Sequence, residues 1–161
     1  MRIFDNILNM IVKIASAIVM FAISAIVLLM INELFLRNLF GKSFSGMTEV
    51  AGLLFLWMAF LGIIVLFNDN ALIALDVFVK NTKGIKHKII EIIHELIAFC
   101  LGVAICMGYL SLYPFVSTTY YSSMPNISKG WQYLPLLICG LFIALKSINN
   151  LIKTIFTKEN V

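Results

Sequence analysis

The chain has 161 residues, of which 12 are Lys or Arg, 8 are Asp or Glu and 61% are hydrophobic. That is about half the charge of a soluble domain, and a mean hydropathy of +1.01 leaves too little polar surface to coat a water-soluble globule. A secreted disulfide scaffold, a disordered tail and an ordinary cytosolic enzyme are excluded, the +4 net charge points to no nucleic-acid partner, and an integral membrane protein remains.

A helical span takes roughly 20 apolar residues, so four of them use about half the chain and leave only short loops. Residues 14–31 carry no charge and begin the first span, read as about 14–34. No small-residue cleavage pattern follows this run, so it is read as a retained span rather than a signal peptide. Before it, Ile3, Phe4, Ile7, Leu8 and Ile11 recur at helical spacing opposite Arg2, Asp5, Asn6, Asn9 and Lys13. That pattern describes a short interfacial helix running into the span. The second span covers about 48–68, the third about 90–116 with helix beginning near Lys88, and the fourth about 131–152. After the fourth, Ile148, Leu151, Ile152, Ile155 and Phe156 share one face, and Lys146, Asn149, Asn150 and Lys153 the other. The 69–88 segment has amphipathic content of its own and reads as another interfacial helix. Continuous apolar runs twice the length of a barrel strand exclude a β-barrel. The expected fold is therefore all-α, a single four-helix transmembrane domain over 1–161 with amphipathic interfacial segments.

Lysine and arginine placement orients it. Arg2, Lys13, Lys80, Lys83, Lys86, Lys88, Lys146, Lys153 and Lys158 fall on one side, and only Arg37, Lys42 and Lys129 on the other. Both termini are expected in the cytoplasm.

Ionisable residues inside spans are functional candidates by default, and the span centres hold none. Glu33 and Glu49 sit at the outer rim; Asp69, Asp76, Glu91 and Glu95 sit at the inner one. A chain that moved ions through its own core would place a carboxylate near the midplane, so transport by this chain alone is not expected. Glu91-x-x-His94 has the spacing of half a di-metal carboxylate site, but no second copy exists, and His87 and His94 lie on one helix where haem ligation needs facing helices. A polar rim with Lys88 beside Glu91 is the simpler reading. No catalytic, substrate-binding or metal residue and no cofactor is assigned. Cys100, Cys106 and Cys139 lie in apolar runs and read as small core residues. Ala98/Gly102 and Ala104/Gly108 form two small-xxx-small pairs pointing in different directions, one for packing inside the unit and one for a partner. Tyr113, Tyr120, Tyr121, Trp131 and Tyr133 bracket the loop between the third and fourth spans. They form either an aromatic belt at headgroup level or, through Tyr120, Tyr121 and Trp131, a docking surface for an extracytoplasmic protein.

The stretch from Arg37 to Gly41 (RNLFG), then Gly46 to Glu49 (GMTE), then Leu54 to Gly62 (LFLWMAFLG) resembles the small, DctQ-type membrane subunit of tripartite ATP-independent periplasmic (TRAP) transporters. Arg37, Glu49, Trp57 and Gly62 match that family's pattern; Leu72 stands where the family often has histidine, so from that run only Asp76 carries over. Trp131, Tyr133 and Pro135 echo the start of its fourth helix. The resemblance implies a non-catalytic scaffold in the bacterial inner membrane. Its partners would be a large DctM-type subunit that moves substrate and sodium, a periplasmic substrate-binding protein and the lipid bilayer. The substrate would be an organic acid anion such as a dicarboxylate or sialic acid. Arg37 and Glu49 would then be an outer-rim ion pair or solvated rim charges, with Glu33 competing for Arg37 at i,i+4 spacing. Trp57 and Gly62 would be packing residues. A small multidrug exporter acting as a homodimer is the alternative, but it needs a glutamate within the first span, and residues 14–31 have none.

Overall fold

The structure, a computed structural model, describes residues 2–41, 45–69 and 85–156, with side chains for 5–41, 46–69 and 88–155. Four helices make up nearly all of it: α1 (Arg2–Phe40), α2 (Ser45–Asn68), α3 (Ile85–Ser117) and α4 (Gly130–Phe156). All four are long and apolar enough to cross a membrane, and no strand occurs among the described residues. The 24 residues of α2 rise about 36 Å, enough for a hydrocarbon core of about 30 Å. The 39 residues of α1 rise about 58 Å and overhang it. The expected interfacial segments at residues 2–13 and 146–156 are uninterrupted continuations of α1 and α4. The expected helix within 69–88 lies outside the described residues except for its ends, and so does Asp76.

α3 packs along α4, α1 along α2, and α2 against α4, which places the helices in the spatial order α1, α2, α4, α3. Leu8 and Ala15 of α1, Leu61, Ile64 and Phe67 of α2, Ala98 of α3, and Cys139, Phe142 and Ile143 of α4 form the shared core. In α4, 39% of the apolar window is buried against 11% in α1, so α4 is the centre of the bundle and α1 its edge. Cys139 is buried as expected of a small core residue, but Cys100 is exposed on the outward face of α3.

The tightest approach is between α3 and α4. A Cβ on Gly102 would lie 2.8 Å from the Ala144 backbone nitrogen and 2.9 Å from the Gly140 carbonyl oxygen. Ala98, one turn away, is buried on the same face, so this small-residue pair packs inside the unit, as small residues do between close helices. Ala104 and Gly108 are exposed. Gly62, expected to pack, meets nothing within 4 Å of where a Cβ would stand. α1 ends at Gly41, whose φ of +61° lets its N–H reach back to the Arg37 carbonyl at 3.2 Å, a left-handed cap that favours glycine.

Candidate functional site

With no charge in the span centres, the polar chemistry gathers at the two ends of the bundle. One end, the loop rim, carries the α1–α2 turn and the loop 118–129; the other, the terminal rim, carries the start of α1 and the end of α4.

At the loop rim, α3 runs out of helix at Ser117 and its last carbonyls need donors. A row of hydroxyls supplies them. Thr118 donates to the Phe115 carbonyl (3.1 Å), Thr119 to Val116 (3.0 Å) and Ser128 to Ser117 (3.0 Å). Ser128 also accepts from the Gly130 N–H at 3.1 Å, capping the start of α4. An isolated bridge between Tyr120 and Ser128 and the Lys129 N–H to Thr119 carbonyl bond (2.8 Å) close the loop on itself. Glu49, in the first turns of α2, then fastens it: its two oxygens accept the Ser122 N–H at 3.2 Å and the Ser123 N–H at 3.1 Å.

Among the described residues Arg37 and Glu49 therefore do not form the expected ion pair. Glu49 is engaged instead by the N–H groups of Ser122 and Ser123. Arg37 is exposed near the end of α1.

About two turns along α2 from Glu49, Trp57 has a defined partner. Its indole Nε1 donates to the Trp131 carbonyl at 3.1 Å. That carbonyl would normally accept from the residue four positions on, but Pro135 sits there, inside α4, and has no N–H. Trp57 supplies the missing donor across 74 residues of sequence. Of the aromatic docking candidates, Tyr120 and Trp131 are exposed, while Tyr121 is 5% exposed. Its hydroxyl donates to Gln132 Oε1 at 2.8 Å, and burial, then Tyr133 and Glu49, push its phenol above the ordinary value. Lys129 lies over its ring at 5.9 Å. Tyr121 thus holds the loop from within rather than presenting a surface.

At the terminal rim all four helices meet through side chains. Lys153 of α4 lies 2.6 Å from Asp5 of α1, and Asn149 donates to the same oxygen at 2.8 Å. Lys146 donates to Asn68 of α2 at 2.8 Å, and Asn68 to Asp69 at 3.2 Å. Asn150 donates to Glu95 of α3 at 2.9 Å, with His94 Nδ1 3.9 Å from the same carboxylate oxygen. Glu95 and Asn149 are buried, whereas Ile148, Ile152 and Ile155 are exposed. The amphipathic end of α4 is therefore turned inside out relative to a surface helix: its polar face points into the bundle and its apolar face outward. In a membrane protein this is the favourable direction, because lipid accepts isoleucine and cannot satisfy an amide. Glu95 Oε2 and Ser147 Oγ are buried without a hydrogen-bond partner.

Among the described residues no three His, Cys, Asp or Glu side chains gather to hold a metal ion, so Glu91 and His94 are not part of such a group. His87 lies outside the residues whose side chains are described. The sequence pattern did not point to Ser122, Ser123, Gln132, Asn68 or Asn150 as partners. Their only signal was a polar residue at the border of an apolar run.

The family of tripartite ATP-independent periplasmic transporters, DctQ component, matches residues 26–157 of the chain. A Haemophilus influenzae protein with the provisional name TRAP transporter small permease protein is 26% identical over 121 residues, covering 75% of this chain and 74% of that protein.

Proposed function

This chain belongs to the DctQ component family of tripartite ATP-independent periplasmic transporters, and on that premise we propose that it is the non-catalytic brace of a sodium-coupled uptake system for an organic acid anion such as a dicarboxylate or sialic acid. Its terminal rim faces the cytoplasm of a bacterium, its loop rim faces the periplasm, and a large DctM-type subunit moves substrate and sodium beside it in the inner membrane.

The observation that carries this reading is the separation of polar and apolar parts along the bundle. Both ends are tied by hydrogen bonds between helices, and the spans between them hold no Asp, Glu, Lys or Arg. From Glu49 to Asn68 the charge-free length of α2 is about 28 Å. Such a unit offers an ion no way through its own core, but it resists tilting of one helix against another, as the fixed half of a moving transporter must. The edge helix α1 and the open faces at Gly62, Ala104 and Gly108 are left for lipid and for the large subunit, with exposed Arg37 at the periplasmic end of that surface. Tyr120, exposed on a loop held in place by Glu49, and Trp131, exposed in the first turn of α4, are the residues offered to the periplasmic binding protein.

A C-terminal tag on this chain, pulled down from detergent-solubilised native membranes, should recover a large polytopic protein in stoichiometric amount. Recovery of the chain alone, or only as a homodimer, would overturn the brace reading.

A further inference from the structure

The terminal rim contains a cleft of about 550 Å³ between the start of α1 and the end of α2, lined among the described residues by Asn6, Asn9, Met10, Val12, Lys13 and Asn68. Of the four inter-helix links described above, only that between Lys146 and Asn68 reaches its lining. Asn6, Asn9 and Lys13 fall on one face of α1 by their i, i+3 and i+7 spacing, and Asn68 closes the far wall. We infer that this cleft binds the phosphate headgroup of an anionic phospholipid.

Depth is the first argument. Lys13 immediately precedes the uncharged run 14–31, and Asn68 ends the apolar run of α2. The cleft thus lies where the hydrocarbon-facing surface meets the polar end of the bundle, the level at which lipid phosphates sit. Charge is the second. Lys13 is exposed and makes no ion pair or hydrogen bond among the described residues. Of the described acidic residues at this end, Asp5 is bound to Lys153 and Asn149, and Asp69 is bound by Asn68. Among the described residues Lys13 is therefore a cation of the cleft's lining with no acid partner, and basic pockets between transmembrane helices at this level suit anionic headgroups.

The lining is the third argument. The carboxamides of Asn6 and Asn9 can donate to phosphate and glycerol oxygens, Asn68 being held by Lys146 and Asp69, while Met10 and Val12 give an apolar floor against which the top of an acyl chain can lie. A free phosphate would use the donors and leave that floor bare, which is why the lipid is the occupant assigned. The site depends on the level of the helices in the bilayer, not on the identity of the transporter partner.

Native mass spectrometry of the full chain in mild detergent tests this, with dioleoylphosphatidylglycerol, dioleoylphosphatidylcholine and inorganic phosphate as probes. Phosphatidylglycerol should be retained in preference to phosphatidylcholine. Lys13→Gln should weaken its retention about fivefold, the effect of one basic residue at a lipid surface. Lys13→Arg should keep it, and Asn9→Leu should weaken it. Lys129→Gln, at the opposite rim, should leave it unchanged. Equal retention of the two lipids, or equal behaviour of Lys13→Gln and Lys129→Gln, would overturn the assignment. So would displacement of phosphatidylglycerol by millimolar inorganic phosphate. Unchanged helical circular dichroism in each variant keeps the readout on the site.

Discussion

At the loop rim Glu49 closes on two backbone N–H groups and Trp57 on a backbone carbonyl, whereas at the terminal rim Asp5, Asn68 and Glu95 meet only side chains. The difference follows from what each end must hold. The loop 118–129 has main-chain groups that helices cannot satisfy, and fixed acceptors aimed at them give the loop one shape. The terminal rim is joined by side chains of neighbouring helices reaching one another. Main-chain links specify geometry; side-chain links between lysines, amides and carboxylates hold helices together while tolerating small shifts.

The sharpest break of this contrast acts on both rims at once. Gly102→Leu inserts a side chain against the backbone of Ala144 and Gly140, which cannot yield without parting α3 from α4. It should cost about 3 kcal/mol or more, seen as a lower unfolding midpoint in detergent. Hydrogen exchange should quicken at both ends. Glu49→Ala removes the acceptor of two N–H groups and should cost about 2 kcal/mol, with faster exchange confined to Ser122, Ser123 and their neighbours and the terminal rim unaffected. Exchange that changes equally at both ends would erase the distinction between the rims.

Trp57→Phe keeps the ring and loses the donor, for about 1 kcal/mol. Because the need for that donor comes from Pro135, the loss should largely vanish in a Pro135→Ala background, where the helix supplies its own N–H. A double-mutant cycle measures this, and additive losses would show that the indole bond is incidental. Lys153→Gln should have the smallest effect on the unfolding midpoint, because exposed ion pairs contribute little. Both partners are substantially exposed, 42% for Lys153 and 32% for Asp5, and raised salt should remove most of the difference.

The four spans were legible because burial in lipid demands long uncharged runs, and a run such as 14–31 admits no other reading. The charged rims were legible for the same reason, whereas α1 extends from Arg2 to Phe40, well beyond the 14–34 expected of the first span. The partner of Glu49 was not legible, because the N–H groups of Ser122 and Ser123 come within its reach only once the loop has folded against α2. Nor was the role of Tyr121, which looks like its exposed neighbour Tyr120 until the loop folds back and buries it against Gln132. Asp76 and the body of the 69–88 segment lie outside the described residues.

The sequence by itself determined that this chain crosses a membrane four times, that its charges are expelled to two rims, and that it resembles a small permease subunit; solvation imposes each of these along the chain, residue by residue. Only the tertiary structure decided which way the polar end of α4 faces. A stripe of Lys146, Asn149, Asn150 and Lys153 is equally compatible with water outside or with partners inside, and Asp5, Asn68 and Glu95 on three other helices are those partners. Packing, not pattern, chooses between them, because hydrogen bonds between distant residues exist only once the helices are side by side.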